Sequence, residues 1–377
     1  MTHDISPPAG SNKDSNHMFA AVYRILTDAV AAHAFPGCAF GVLAGGEIVL
    51  QDALGRFIYD EAAPAVAPDT VFDIASITKV LATTAAAMLL HQRGLLDLET
   101  PLGSLLPGFV AGRSASDPAR LVTLRHLLAH NSGLPGYVEF FRAVTTAPAL
   151  LRALMELPLE AAPGARGEYS DPGFMLLGKA LEALINEPLD AWVNREILLP
   201  LGLAATGFCP PLSLRSAIPP TEEDPWLRHR RVQGEVQDEN AWLLNGVAGH
   251  AGLFSNVPDL LRFAGDIIRA AQQAGKSRLF DAATVSLFAQ RQGPPGSSSA
   301  LGWDTPSEPS SSGHRFSPRS IGHLGFSGCT LWIDLEAGVA VTLLTNRTWP
   351  DRQSQLIRQI RPAFHDAVWD GLQQVRP

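Results

Sequence analysis

Residues 76–92 carry Val80, Leu81, Ala85, Ala86, Ala87, Met88, Leu89 and Leu90, which would be apolar nearly all the way round a helix. Such a helix has no face to offer water, so other elements must enclose it. The chain therefore needs layers on several sides of one central helix. Its 377 residues, 46% hydrophobic and 18% charged, are enough to build them as one large domain or two interlocked ones.

The flanking patterns say what those layers are. Phe19, Val22, Tyr23, Leu26 and Val30 recur at helical spacing and predict an amphipathic helix over 18–33. Residues 38–54 alternate and break at Ala44-Gly45-Gly46-Glu47, which reads as two antiparallel strands and a tight turn. Strand character returns at 251–255, followed by a helix over 258–272. Two more strands, 329–334 and 339–345, turn at Glu336-Ala337-Gly338 before a final helix over 352–369. Between them, 95–245 reads as short helices separated by Pro/Gly turns, for example 123–130 and 173–184, while 293–299 and 307–312 read as exposed loop. The expected fold is α+β: an antiparallel sheet domain from 18–94 and 246–377, flanked by the terminal helices. An all-helical subdomain over 95–245 is inserted in it, a polar tail covers 1–17, and the site lies in the cleft between the two parts.

Composition narrows the function classes. A net charge of −8 without a basic run gives nucleic acid no electrostatic footprint. Cys38, Cys209 and Cys329 are too few and too far apart for a disulfide framework or a metal pair, and read as core thiols. No paired-histidine spacing suggests a metal, so none is expected, and no cofactor either. No apolar stretch reaches spanning length, and residues 1–17 lack the charged-then-apolar pattern of an export signal. The expectation is a soluble cytoplasmic protein with no membrane partner; the oligomeric state is open.

Three segments carry chemistry. In Phe72-Asp73-Ile74-Ala75-Ser76-Ile77-Thr78-Lys79, the i, i+3 spacing puts Ser76 and Lys79 on one helical face. A serine hydroxyl needs a base beside it, and burial in an apolar helix favours a neutral lysine able to take a proton. Only four of the 29 basic side chains are lysines, so one inside the most apolar helix is not there for solubility. The second segment, residues 167–173, turns into a helix with Tyr169 and Asp171. A tyrosine near an ammonium can relay protons, although Asp171 also reads as a helix cap. The third, Gly322-His323-Leu324-Gly325-Phe326-Ser327-Gly328, precedes a strand and reads as a strand edge whose glycines let backbone N–H groups approach a ligand.

In this order the three segments closely resemble one superfamily: the class C serine β-lactamases, the D-alanyl-D-alanine carboxypeptidases and the β-lactamase-like esterases. Ser76 and Lys79 match its SxxK motif. Tyr169 matches YxN, with Asp171 where asparagine is usual. His323 and Gly325 match KTG or HTG, with Leu324 between them. Residues 124–135 and 246–255 are also similar, so the resemblance runs over roughly 20–350. It implies a β-lactamase/transpeptidase-like fold and a serine hydrolase in which Ser76 attacks the acyl carbon. Lys79 and Tyr169 would share the proton transfers, the backbone N–H groups of Ser76 and Phe326 would hold the oxyanion, and water would release the acyl group. His323 would line the edge strand beside a small ester, amide or β-lactam.

The departures from the family pattern bear on substrate. Asp171 near Lys79 would hold it protonated and shift the base role toward Tyr169. Leu324 removes a hydroxyl donor for a substrate carboxylate, and histidine at 323 is mostly neutral where lysine is cationic. The expected substrate-binding set is Asp171, His323, Leu324, Gly325 and Trp303, the last as a pocket wall or a core residue. Small esters or related amides fit this set better than a penicillin or a D-Ala-D-Ala peptide, the alternatives, with a non-catalytic binding scaffold as a third reading. His126, His130 and His250 read as structural, and the polar run 231–241 as cleft rim or solvated loop.

Overall fold

The computed structural model describes residues 18–273 and 277–373. The tail expected at 1–17 lies outside the described residues. Helix α1 (Ala20–Ala31) leads into β1 (Gly37–Ala44) and β2 (Glu47–Gly55), which turn through Gly45 and Gly46, both at positive φ. Strands β3 (Ser320–Leu324), β4 (Thr330–Asp334) and β5 (Val339–Thr345) come from the far end of the chain. All five form one antiparallel sheet in the order β2-β1-β5-β4-β3, with Cys38 opposite Thr345 and Ala44 opposite Val339. The two ends of the chain are thus stitched together at the centre of the sheet, and β3 is left at its edge.

Each face of the sheet is covered by helix. The terminal helix, Ile357–Gln373, packs with α1 on one face through Phe19, Val22, Leu26, Phe364 and Trp369 against Phe40, Val42 and Leu343. The helix Val257–Gln272 covers the other face, where Gly41 leaves the room it needs: a Cβ there would meet Val257 Cγ1 at 2.5 Å. Beyond that helix lies the apolar run that demanded enclosure, and residues 77–90 are all buried. It is not one regular helix. A 3₁₀ turn (Ala75–Ile77) and a wide turn (Lys79–Thr84) precede regular helix Ala85–Gln92.

Three expectations need correction. The middle of the chain is not helical throughout. Gly207–Phe208 and Phe72–Asp73 both pair with Leu253–Ser255, and Glu222–Asp224 pairs with Arg230–Val232. Leu253–Ser255 lies within the strand expected at 251–255, while its two partners, of two residues each, are too short to show alternation. The last pair is held by charge, with Glu223 opposite Arg231 and bonded to it at 2.9 Å, so no apolar pattern marks it. Cys38 and Cys329 are buried but Cys209 is exposed, on a residue at φ 48° whose thiol donates to the Asn245 carbonyl. The last helix begins at Ile357 rather than 352, because Arg352 is drawn aside into ion pairs with Glu222 and Glu239.

Candidate active site

Ser76 follows a strained residue. Ala75 has φ 47°, costly for a side chain with a Cβ, and its N–H is held by Asp73 Oδ1 at 2.8 Å. The other Asp73 oxygen accepts from Gln237 N–H at 2.7 Å, and burial pushes this carboxyl up to about 6. One turn on, Lys79 is fully buried and spends its three N–H bonds on Ser76 Oγ at 3.0 Å, Asp171 Oδ1 at 2.6 Å and the His250 carbonyl at 3.2 Å. Burial works against the ammonium. The charge of Asp171, with Tyr169 in support, outweighs it and raises Lys79 above the usual lysine value. The neutral lysine that burial alone would favour is therefore not the resting form.

Asp171 and Tyr169 reach this point through one helix start. Ser170 caps the helix Asp171–Ile185: its hydroxyl accepts from Gly173 N–H at 3.0 Å and donates to the Pro135 carbonyl. The Ser170 N–H is taken by His130 Nδ1 at 3.0 Å, and the His130 ring lies 4.6 Å from that of Tyr169. Tyr169 is partly exposed and turns its hydroxyl toward Lys79 and Ser76, with Lys79 Nζ 4.8 Å from the ring centre. Burial raises the phenol, Lys79 opposes it, Asp171 reinforces it, and the net direction is up. Tyr169 holds its proton at rest.

Strand β3 closes the other side. Gly325 is what lets it approach: a Cβ there would lie 2.6 Å from the Ile74 carbonyl, two residues before Ser76. His323 is buried with its ring 5.8 Å from Tyr169. Burial first and the Lys79 charge second lower it to about 3, so the imidazole is neutral, with Nδ1–H donating to the Leu324 carbonyl. Leu324 is half-buried and Phe326 exposed.

The structure thus gathers Ser76, Lys79, Tyr169, Asp171 and the segment His323–Phe326 around the nucleophile. It does not bring in Trp303, which is buried in the core with its ring stacked on Phe263. The floor of the site is made by His250, which the sequence marked only as structural, and Asp238, from the run read as cleft rim or solvated loop. His250 turns its carbonyl to Lys79 and its Nε2 to Asp238 at 2.8 Å. Burial raises Asp238, but His250 and the Ala241 N–H outweigh it and hold the carboxyl down at about 2. The available signal was Gly249, where a Cβ would strike the Phe174 carbonyl at 2.2 Å. Gly249→Ala is accordingly expected to push the Asp171 helix off the His250 segment and cost about 1–3 kcal/mol, read as a lowered denaturant midpoint.

Among the described residues no group of three or more His, Cys, Asp or Glu is arranged to hold a metal ion, and no helix is long and apolar enough to cross a membrane.

Comparison with known proteins places the chain in a family. The family model described as Beta-lactamase matches residues 22–363. A protein of Salmonella paratyphi B with the provisional name D-alanyl-D-alanine carboxypeptidase is 31% identical over 349 residues, 83% of this chain and 79% of its own. Two solved structures share the fold. EstCE1, described as a hydrolase with promiscuous acyltransferase activity, has a TM-score of 0.73 at 22% identity and covers 93% of this chain and 99% of its own. Simvastatin synthase LovD from Aspergillus terreus has a TM-score of 0.70 at 21% identity, with 95% and 99% covered. With the family matched over nearly the whole chain, this protein belongs to the beta-lactamase family and is a β-lactamase-like serine hydrolase.

Proposed function

We propose that the protein hydrolyses small esters without a free carboxylate, and related amides, through an acyl-enzyme on Ser76. Ser76 Oγ adds to the carbonyl carbon while the carbonyl electron pair moves onto oxygen, where the N–H groups of Ser76 and Phe326 receive it. The Ser76 proton passes to the Lys79–Tyr169 pair. Collapse expels the alcohol, which takes a proton back from the pair. Water then adds to the acyl carbon in the same way and leaves the acid and free Ser76. Because Lys79 donates all three protons and Tyr169 keeps its own, the pair accepts the Ser76 proton only after shedding one to solvent.

The substrate class rests on one observation, that positions 323 and 324 of the third motif carry neither a charged side chain nor a hydroxyl donor. His323 is neutral and Leu324 has no donor; of the two arginines over the Phe326 ring, Arg352 is paired with carboxylates and Arg347 is buried against backbone carbonyls. Arg352 pairs with Glu222 and Glu239, and Arg347 binds the carbonyls of Phe326, Arg352 and Ser354. A carboxylate-bearing β-lactam or D-alanyl peptide would find at positions 323 and 324 neither the ammonium nor the hydroxyl of the family pattern. EstCE1's description as a hydrolase with acyltransferase activity agrees with this reading, while the name of the Salmonella relative favours the peptide.

A short-chain nitrophenyl ester, a chromogenic cephalosporin and a D-Ala-D-Ala peptide separate the readings. The expected kcat/KM for the ester exceeds the other two by about 100-fold, the worth of roughly one charge-assisted hydrogen bond to the missing carboxylate site. Intact mass should show an acyl adduct that peptide mapping assigns to Ser76. Faster turnover of the cephalosporin or the peptide would overturn the ester preference. The absence of any adduct would overturn the mechanism.

A further inference from the structure

The loop that carries Phe326 is held from behind by a buried cation. Arg361, on the terminal helix, is only 7% exposed. Its guanidinium donates through Nη2 to the carbonyls of Gly325 at 2.6 Å and Cys329 at 2.8 Å, and through Nε to that of Gly328 at 3.2 Å. It pairs with no carboxylate among the described residues, and although burial lowers it to about 10 it remains charged at neutral pH. The rest of the loop is bound as tightly. Arg347 Nε donates to the Phe326 carbonyl, Gly325 N–H to the Cys329 carbonyl, and Ser327 Oγ to the Asp73 carbonyl beside the nucleophile. Phe326 N–H itself donates to nothing among the described residues.

The Gly325 carbonyl and the Phe326 N–H are the two ends of one peptide group. A cation bonded to the oxygen draws electron density through the conjugated amide and makes the N–H at the other end a stronger donor. Burying a guanidinium without an anion costs several kcal/mol, more than capping carbonyls requires when a neutral donor would do. The reaction itself makes an anion, on the far side of that peptide group.

Resting on the reading of Phe326 N–H as an oxyanion donor, we propose that Arg361 is a positioning residue of the oxyanion site, its charge acting through the Gly325–Phe326 peptide to orient and strengthen that N–H. It touches no substrate. Its effect is confined to states in which the carbonyl oxygen, or an equivalent, is negative.

The test compares Arg361→Gln, which keeps donors without charge, with Arg361→Lys, which keeps charge. Active sites are counted by the acyl adduct, so misfolded protein does not enter the rates. Arg361→Gln is expected to lower kcat for the nitrophenyl ester about 10- to 50-fold, somewhat less than removal of an oxyanion donor itself, with KM changed less than about 3-fold. Phenylboronic acid should report the same loss. Ser76 Oγ adds to its trigonal boron and releases the serine proton, leaving a tetrahedral boron anion, so its Kd should rise by the same factor. Arg361→Lys should retain both within about 5-fold. A purely structural role would lower thermal stability in both variants and leave kcat per counted site and boronate affinity unchanged, which would overturn the proposal. Equal losses in the Gln and Lys variants would overturn it too, since charge would then not matter. A wild type inert to the ester but binding boronate in an Arg361-dependent way would sink the ester reading and leave this one standing; a wild type that binds no boronate would sink both.

Discussion

Ser76→Ala and Lys79→Met should each lower ester kcat/KM by at least about 10³-fold and abolish the acyl adduct, and the double variant should be no worse than either single one. The two side chains meet at 3.0 Å and work as one unit. Without the hydroxyl there is no nucleophile. Without the lysine, the Asp171 charge stands uncompensated beside Tyr169, which that charge already pushes up, so the phenol holds its proton still more firmly. Losses that multiply in the double variant would mean that Lys79 acts independently of Ser76, for instance by binding substrate. The two should separate in stability. Ser76→Ala removes one part-buried hydrogen bond, whereas Lys79→Met strips the partner from a carboxylate whose side chain is only 16% exposed, so its denaturant midpoint should fall furthest. Adding Asp171→Asn to Lys79→Met should restore most of that fall.

That pair also marks where sequence reasoning stopped. Four of the five sheet strands and the terminal helices are legible from a period, 2 or 3.6, set by a buried face, and the central run from being apolar all round; Ser320–Leu324 is legible only as a glycine-bearing strand edge. Ser76 and Lys79 are legible because they lie a turn apart. Asp171 is 92 residues from Lys79 along the chain, and only the motif's usual asparagine suggested that the two meet. Other parts leave no such trace. The His250 carbonyl is backbone, available at any residue, and what aims it is packing: Gly249 against Phe174, and Thr83 Oγ1 donating to the Gly249 carbonyl at 2.6 Å. Trp303 sits in the core because Phe263 takes its ring, a neighbour that no local pattern announces. Strands of two residues carry no alternation to read, and the Glu222–Asp224 hairpin places charged side chains opposite one another, which along the chain look like solvated loop.

Asp171→Asn should move the rising limb of the ester pH–rate profile to lower pH by more than about one unit, which raises kcat/KM near pH 7 by up to roughly tenfold per unit moved. In the wild type Lys79 and Tyr169 both lie above their usual values, and Asp171 is a cause of each shift. The accepting form is then scarce at neutrality, and log kcat/KM should climb steadily through about pH 7 to 9. Neutralising residue 171 leaves burial as the largest influence on Lys79, acting downward, and relieves Tyr169 as well. Stability should change with the opposite sense of pH dependence. A lysine raised in the folded state contributes stability that is full below its unfolded value and is lost as pH rises through the folded one. In Asp171→Asn the folded value falls below the unfolded one, so the buried ammonium should cost about 3 kcal/mol near neutrality, with the loss recovered as pH rises and the amine becomes neutral. The melting temperature of the variant should therefore rise between about pH 7 and 9 while that of the wild type does not. An unmoved rate profile would mean that Asp171 does not set the protonation of the pair. A moved profile with reduced activity at every pH would mean that the carboxylate is needed for more than its charge, as the acceptor of the proton that Lys79 gives up.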